Sequence, residues 1–272
     1  MALIKLNSRA IPDSTVINTD IADGSVTQAK IVDGSISSAK LAAGSVTADK
    51  TTGVINKGKN LLINGNFDVW QRATSYTDVA GIWKYGHADR WNGHNDGADA
   101  GTWSRSTAGP AGSTYSMLMT GASGVTSTNF SQRIESDNLT GIRKVDSFTI
   151  SGYVRSATAG KVINIHALCP TVKDNYAGYS QHNNVMSSVT ISGDGTTGTS
   201  QITLTSADTW YYFTATKTSA TSLTNFDKGY ALFLSVLGQT SSSHQVYMAQ
   251  LQIEAGTTAT DFEHRSYGEQ LA

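Results

Sequence analysis

Apolar residues recur at every fifth position through residues 21–50: Ile21, Val26, Ile31, Ile36, Leu41 and Val46. They belong to three ten-residue units, IADGSVTQAK, IVDGSISSAK and LAAGSVTADK, sharing the form apolar-x-x-Gly-Ser-apolar-Thr/Ser-x-x-Lys. A spacing of five matches neither the helical period of 3.6 nor the strand period of 2. An uninterrupted strand would send these side chains to alternate faces, and an uninterrupted helix would wind them around its surface. Gly24, Gly34 and Gly44 supply breaks that restore a common direction, because glycine tolerates positive φ. One chain cannot bury such a row. Three chains around one axis bury six layers and leave Asp23, Asp33 and the lysines outside. The pattern predicts a trimeric stalk over 21–50 rather than a disordered polar linker. An attachment segment (1–20) precedes it and a hinge (51–60) follows.

From residue 61 the texture changes to short apolar–polar alternations punctuated by Gly, Ser, Asn and Asp, the signature of antiparallel strands. Phe148, Ile150 and Val154 fall on one face, with Thr149, Ser151, Tyr153 and Arg155 on the other. Trp210, Tyr212 and Thr214 oppose Tyr211, Phe213 and Ala215. The run YALFLSVL at 230–237 is apolar on both faces and predicts a central, covered strand. Tyr247, Ala249, Leu251 and Ile253 predict one face of a late strand. Further strands are expected at 61–69, 115–120, 129–135, 161–168 and 200–205, with a hairpin turn at 191–200. Eight to ten such strands make a two-sheet sandwich, most simply a jelly roll. The expected fold is all-β: an N-terminal repetitive trimeric stalk, then an antiparallel β-sandwich (jelly roll) head over 61–272.

Composition narrows the function. Charged residues are 15% of the 272 and the net charge is −1, against roughly 25% charged in average proteins. No basic stripe exists to neutralise phosphates, so no nucleic-acid partner is expected. No apolar run is long enough for membrane insertion, and the opening MALIKLNSRA lacks the apolar core of a signal peptide. Cys169 is the only cysteine, which excludes an intrachain disulfide and a cysteine zinc site.

At Asn60–Phe67 the chain reads NLLINGNF, continuing with Val69-Trp70-Gln71-Arg72. In order follow Ala88-Asp89-Arg90-Trp91, Ser131-Gln132-Arg133-Ile134-Glu135, Ser151-Gly152-Tyr153-Val154-Arg155-Ser156, AQLQIEAG at 249–256 and DFEHRSYGEQL at 261–271. This ordered set resembles a bacteriophage tail-fibre and virion-protein family whose members open with NLLINGxFxVWQRG. The resemblance covers about 61–272. It implies a jelly roll similar to carbohydrate-binding modules, carried on a trimeric virion appendage. Ala73 departs from the family's usual glycine. The chain also stops at Ala272, where many relatives continue with a "LCQRYY"-type segment, so a distal receptor-binding tip is not expected.

No nucleophile elbow, P-loop or paired-histidine metal motif occurs among the six histidines, 87, 94, 166, 182, 244 and 264. Glu135 and Asp137 are two apart and would share a face on a strand, as a glycosidase pair might; the Gln-Arg-Ile-Glu context instead pairs Glu135 with Arg133 or another basic group. Catalysis is not expected. A depolymerising enzyme would be expected to carry a long parallel β-helix with carboxylate clusters, and neither is visible. The resemblance suggests a structural calcium, for which Asn66, Asp68 and Glu254 are the oxygen-ligand candidates. Stacking on a sugar ring would use exposed aromatics, and Trp83, Tyr85 and Trp103 are the candidates, with Trp91 assigned to the core. The expected protein is a homotrimeric structural fibre of the virion, joined to other virion proteins through its N-terminal segment and adhering to a host surface polysaccharide. The alternative is a capsid decoration, collar or baseplate fibre with no ligand.

Overall fold

The computed structural model describes residues 17–32, 35–37, 40, 59–78, 83–85, 87–97 and 100–271. The chain divides into two compact units, Met1–Ile55 and Asn56–Ala272.

In the first unit the period of five becomes a period of turns. The amides of Asp20, Ser25, Lys30, Ser35 and Lys40 each donate to the carbonyl three residues back, at 2.9–3.0 Å. Short 3-10 turns close at Asn18–Asp20 and Gln28–Lys30. Gly24 carries the positive φ its break requires, +73°. Two lysine ammonium groups reach back one turn to a backbone carbonyl: Lys30 Nζ to Ser25 O and Lys40 Nζ to Ser35 O, at 2.5 and 2.6 Å. Ile21, Val26, Ile31 and Ile36 remain 41–56% exposed in the single chain. Leu41, Val46, most of the attachment segment and most of the hinge lie outside the described residues.

The second unit is all-β. Its strands are β1 (Ser75–Thr77), β2 (Asn92–Gly97), β3 (Thr102–Ser106), β4 (Ser116–Thr120), β5 (Val125–Ile134), β6 (Ser147–Ser156), β7 (Lys161–Val172), β8 (Asn175–His182), β9 (Ser188–Ile191), β10 (Thr196–Gly198), β11 (Gln201–Leu204), β12 (Tyr211–Thr218), β13 (Tyr230–Leu237) and β14 (Gln245–Ala255). Short helices α1 (Thr140–Val145) and α2 (Tyr267–Leu271) add to them. One sheet runs β1-β3-β4-β14-β6-β12-β9 and the other β10-β11-β7-β13-β5-β2, with β8 added on β7. Every paired strand is antiparallel.

The inward positions of both sheets form one core that includes Phe130, Phe148, Val154, Ile165, Phe213, Leu232 and Leu234. The alternation read in β6 and β12 therefore holds. In β14 it does not. A bulge lies between Ala249 and Gln252, where Gln250 takes φ +53°. The extra residue swaps the phase, as a bulge must. Val246 and Met248 face inward before it and Leu251 and Ile253 after it, so neither Tyr247 nor Ala249, the register partner of outward Tyr153, shares their face.

Residues 61–69 are turns rather than the expected strand. Asn64 and Phe67 both adopt positive φ, +55° and +57°, which a regular strand does not accommodate. The segment still docks on β14: Leu61 N–H donates to Ile253 O and Leu251 N–H to Gly65 O. Asn60 fixes this joint from inside. Its Nδ2 donates to Leu251 O, and its Oδ1 accepts from Leu62 N–H and Ile253 N–H, at 3.0–3.1 Å. Gln132 grips Ile63 at both backbone atoms, 2.6 and 2.7 Å, and Gln270 Oε1 accepts from Asn64 N–H at 2.5 Å. Motifs far apart in sequence thus form one buried hydrogen-bonded seam.

Candidate functional site

The outward positions of the second sheet assemble a row of rings. Register places Asn92, Ser131, Phe233 and His166 on one rung across β2, β5, β13 and β7, and His94, Asn129, Ser235 and Asn164 on another. Trp83, from the segment before β2, lies over this face. Its ring centroid is 4.1 Å from His94 and 5.5 Å from Phe233, and Phe233 is 5.3 Å from His166. All four rings are half-buried. β13 is central as expected, but its outer face is not fully covered: Phe233 joins the ring row.

Polar groups edge the rings. Asp96 accepts from Ser127 Oγ at 2.6 Å and Asn129 Nδ2 at 2.9 Å. Burial holds the His94 and His166 imidazoles below their ordinary pKa, so both are neutral at pH 7. The Nδ1 of each has no hydrogen-bond partner among the described residues. The surface therefore presents partly exposed ring faces beside the exposed Asp96 carboxylate, with the Nδ1 atoms and the Asn92, Asn129 and Ser131 side chains buried beneath them.

A groove of about 760 Å³ includes Arg133 among its walls, next to Ser131 on β5. The Arg133 guanidinium lies 5.9 Å from the Tyr85 ring centroid and 5.0 Å from that of Tyr176. Arg72 and Arg90 add positive charge to the wall, and Asp89, Glu135 and Asp174 offset it. Arg133 stacks on tyrosines rather than pairing with Glu135. The strand premise for Glu135 and Asp137 also fails: β5 ends at Ile134 and a 3-10 turn spans Ser136–Leu139. Asp137 pairs with Lys173 at 3.0 Å instead.

The three stacking candidates separate. Trp83 is in the ring row and Tyr85 is 45% exposed on the groove. Trp103 is 0% exposed, packed edge-on to His87 at 4.5 Å, and cannot meet a ligand; its strand parity turns it into the core. Trp91 is buried, as assigned.

The calcium candidates are engaged in hydrogen bonds within the chain. Asn66 Nδ2 donates to Asp68 Oδ2 at 3.0 Å. Glu254 accepts from Gln252 Nε2 and Thr260 N–H, at 2.7 and 3.0 Å. Among the described residues no cluster of three or more His, Cys, Asp or Glu could hold a metal. Likewise, no helix among them is long and apolar enough to cross a membrane.

Sequence reasoning missed Phe233, His94, His166 and Tyr176. Phe233 was accessible by parity, since its β13 neighbours on that face are Ala231 and Ser235. β2 and β8 are too polar and too rich in Asn and Gly to read as strands, so His94 and Tyr176 had no frame.

The second unit is thus an antiparallel two-sheet β-sandwich with a ring-lined polar outer face. Neither known protein-family models nor curated proteins give a match. Among solved structures the fold is similar to the enzymatically active domain of bacteriophage CBA120 tailspike protein 4, at 11% identity and TM-score 0.42, covering 72% of this chain and 21% of that one. It is also similar to TmCBM61 in complex with β-1,4-galactotriose, at 9% identity and TM-score 0.38, covering 72% of this chain and 99% of that one. A third is the CBM22-1 xylan-binding domain of Paenibacillus barcinonensis Xyn10C, at 13% identity and TM-score 0.39, covering 67% and 99%. None shares enough sequence for a residue's role to be carried across.

Proposed function

We propose that this chain is a non-enzymatic fibre subunit of a bacteriophage virion, trimeric through residues 21–50, whose sandwich head adheres to a host-surface glycan. The observation that carries the adhesion reading is the row Trp83, His94, Phe233 and His166, partly exposed and edged by the exposed Asp96 carboxylate. Pyranose rings present a C–H face to aromatic rings and hydroxyls to amides and carboxylates, and concave or flat sites that pair apolar walls with a few polar groups bind such ligands. The fibre reading rests on the stalk periodicity and on the ordered motifs from NLLINGNF to DFEHRSYGEQL.

The test is binding of the full-length protein to an array of bacterial surface polysaccharides, beside Trp83→Ala and Phe233→Ala. The expected outcome is binding to at least one polysaccharide and at least tenfold weakening in each variant, without loss of the cooperative melt. A natively melting protein that binds no array member overturns the adhesion reading and leaves a purely structural fibre.

A further inference from the structure

A second ring-lined cleft lies on the other side of the sandwich, against the outer face of the first sheet. Tyr153 on β6 and Tyr212 on β12 are direct partners in register, with ring centroids 5.1 Å apart and a tilt of 52°. Both project away from the core residues Val154, Tyr211 and Phe213. The segment after β14 supplies a facing wall, where the Phe262 and His264 rings stand perpendicular at 5.0 Å. The enclosed space is about 450 Å³, with Ser151 and Gln250 in its lining and Thr260 and Asp261 beside them.

The β14 bulge builds this cleft. With φ +53°, Gln250 leaves the strand's alternation, and its Nε2 donates to Ala111 O and Ser113 Oγ at 3.0 and 2.8 Å. That contact pins the 111–113 loop as a third wall. Gly112 lies where an added Cβ would meet Gln250 Nε2 at 3.3 Å, so loop and cleft are closely fitted.

The charge of the lining selects the ligand. Asp261 is its one carboxylate and no lysine or arginine lines it; the nearest ammonium, Lys59 Nζ, is taken up by Thr260 Oγ1 and the Asp261 carbonyl, so the lining favours an uncharged ligand over a uronate or phosphate. Two partly exposed tyrosines offer flat faces, and Gln250 Oε1 and the Asp261 carboxylate offer acceptors for sugar hydroxyls. We propose that this cleft is a second saccharide site, taking an uncharged pyranose against Tyr153, Tyr212 and Phe262. The inference rests on the head being a glycan binder and adds that it binds through both faces. The two sites differ in make-up, since the groove beside the first pairs Arg72, Arg90 and Arg133 with Asp89, Glu135 and Asp174, whereas Asp261 is the cleft's one carboxylate.

The experiment measures full-length protein against three neutral polysaccharides, dextran, galactomannan and arabinoxylan, by affinity electrophoresis and surface plasmon resonance. The variants are Tyr212→Ala, Phe262→Ala and Trp83→Ala. Phe262 lies outside every strand, so its variant keeps the test valid if Tyr212→Ala does not fold. The expected result is at least tenfold weaker binding of one or more polysaccharides in Tyr212→Ala and Phe262→Ala, while Trp83→Ala leaves that binding unchanged. Binding lost only in Trp83→Ala overturns the second site and leaves the first. Binding lost only in the cleft variants upholds the second. No binding of these polysaccharides by the natively melting parent overturns the cleft, while the first face is judged by its own array. A change in assembly mass in Phe262→Ala, with all binding unchanged, makes the cleft a contact between copies and also overturns the proposal.

Discussion

Two buried residues carry consequences that can be measured singly. Asn60 is 3% exposed and holds three backbone groups of the 60–65 and 251–253 segments. Replacement by alanine leaves Leu251 O, Leu62 N–H and Ile253 N–H short of partners, each worth about 1–3 kcal/mol when buried. Asn60→Ala is expected to cost about 3 kcal/mol or more, read as a lower urea midpoint at unchanged slope. His87 sits between Tyr76 and Trp103, and burial depresses its pKa from 6.5 to about 4, against an opposing contribution from the Lys84 backbone. Between those values the unfolded chain binds a proton that the folded chain does not, so stability is full above 6.5 and falls as pH drops toward 4. The loss reaches about 3 kcal/mol. Urea titrations across that range should show it, and His87→Phe, keeping a flat ring in the slot, should flatten it.

At the scale of elements, the sandwich was legible where one face is apolar and the other polar. β6 and β12 stand as read because Phe148 and Phe213 alternate with outward residues, while β13 is central as read but carries Phe233 on a face that is only partly covered. The phase of β14 was not legible, since a single left-handed residue at Gln250 reverses it and nothing in AQLQIEAG marks that position. The NLLING segment misled for a related reason: its apolar letters pair with β14 through turns, with Asn64 and Phe67 at positive φ. Gly65 makes that docking possible, because a Cβ there would stand 2.0 Å from Leu251 O. Gly65→Ala must push the segment off the bulge, with a cost of about 2 kcal/mol and a melting temperature lower by about 6 °C for a unit of this size. Calorimetry checks it. The candidate sites were half legible. Trp83 and Tyr85 came from composition alone, whereas Phe233, His94 and Tyr176 needed strand register to reach them.

For the whole molecule, the stalk reading makes a prediction independent of the head. Ile21, Val26, Ile31 and Ile36 stay exposed in one chain, and association is what would remove them from water. Val26→Asp with Ile31→Asp should convert a trimer to monomers by light scattering while leaving the head's melt unchanged. A monomeric parent at micromolar concentration would remove the trimer from the proposal. The head's seam of Asn60, Gln132 and Gln270 predicts the opposite independence, since its variants should alter the melt and spare the assembly.

The five-residue turns have one more consequence, for how such a protein changes over generations. The units 21–30 and 31–40 each contribute two turns closed on themselves, so their geometry does not depend on how many units stand before them. An in-frame duplication or loss of one unit would return every later apolar side chain to its place, whereas a single inserted residue would rotate all of them out of phase. The number of units then becomes an inherited count, open to gain and loss by recombination between similar copies, while the sequence of the second compact unit stays untouched.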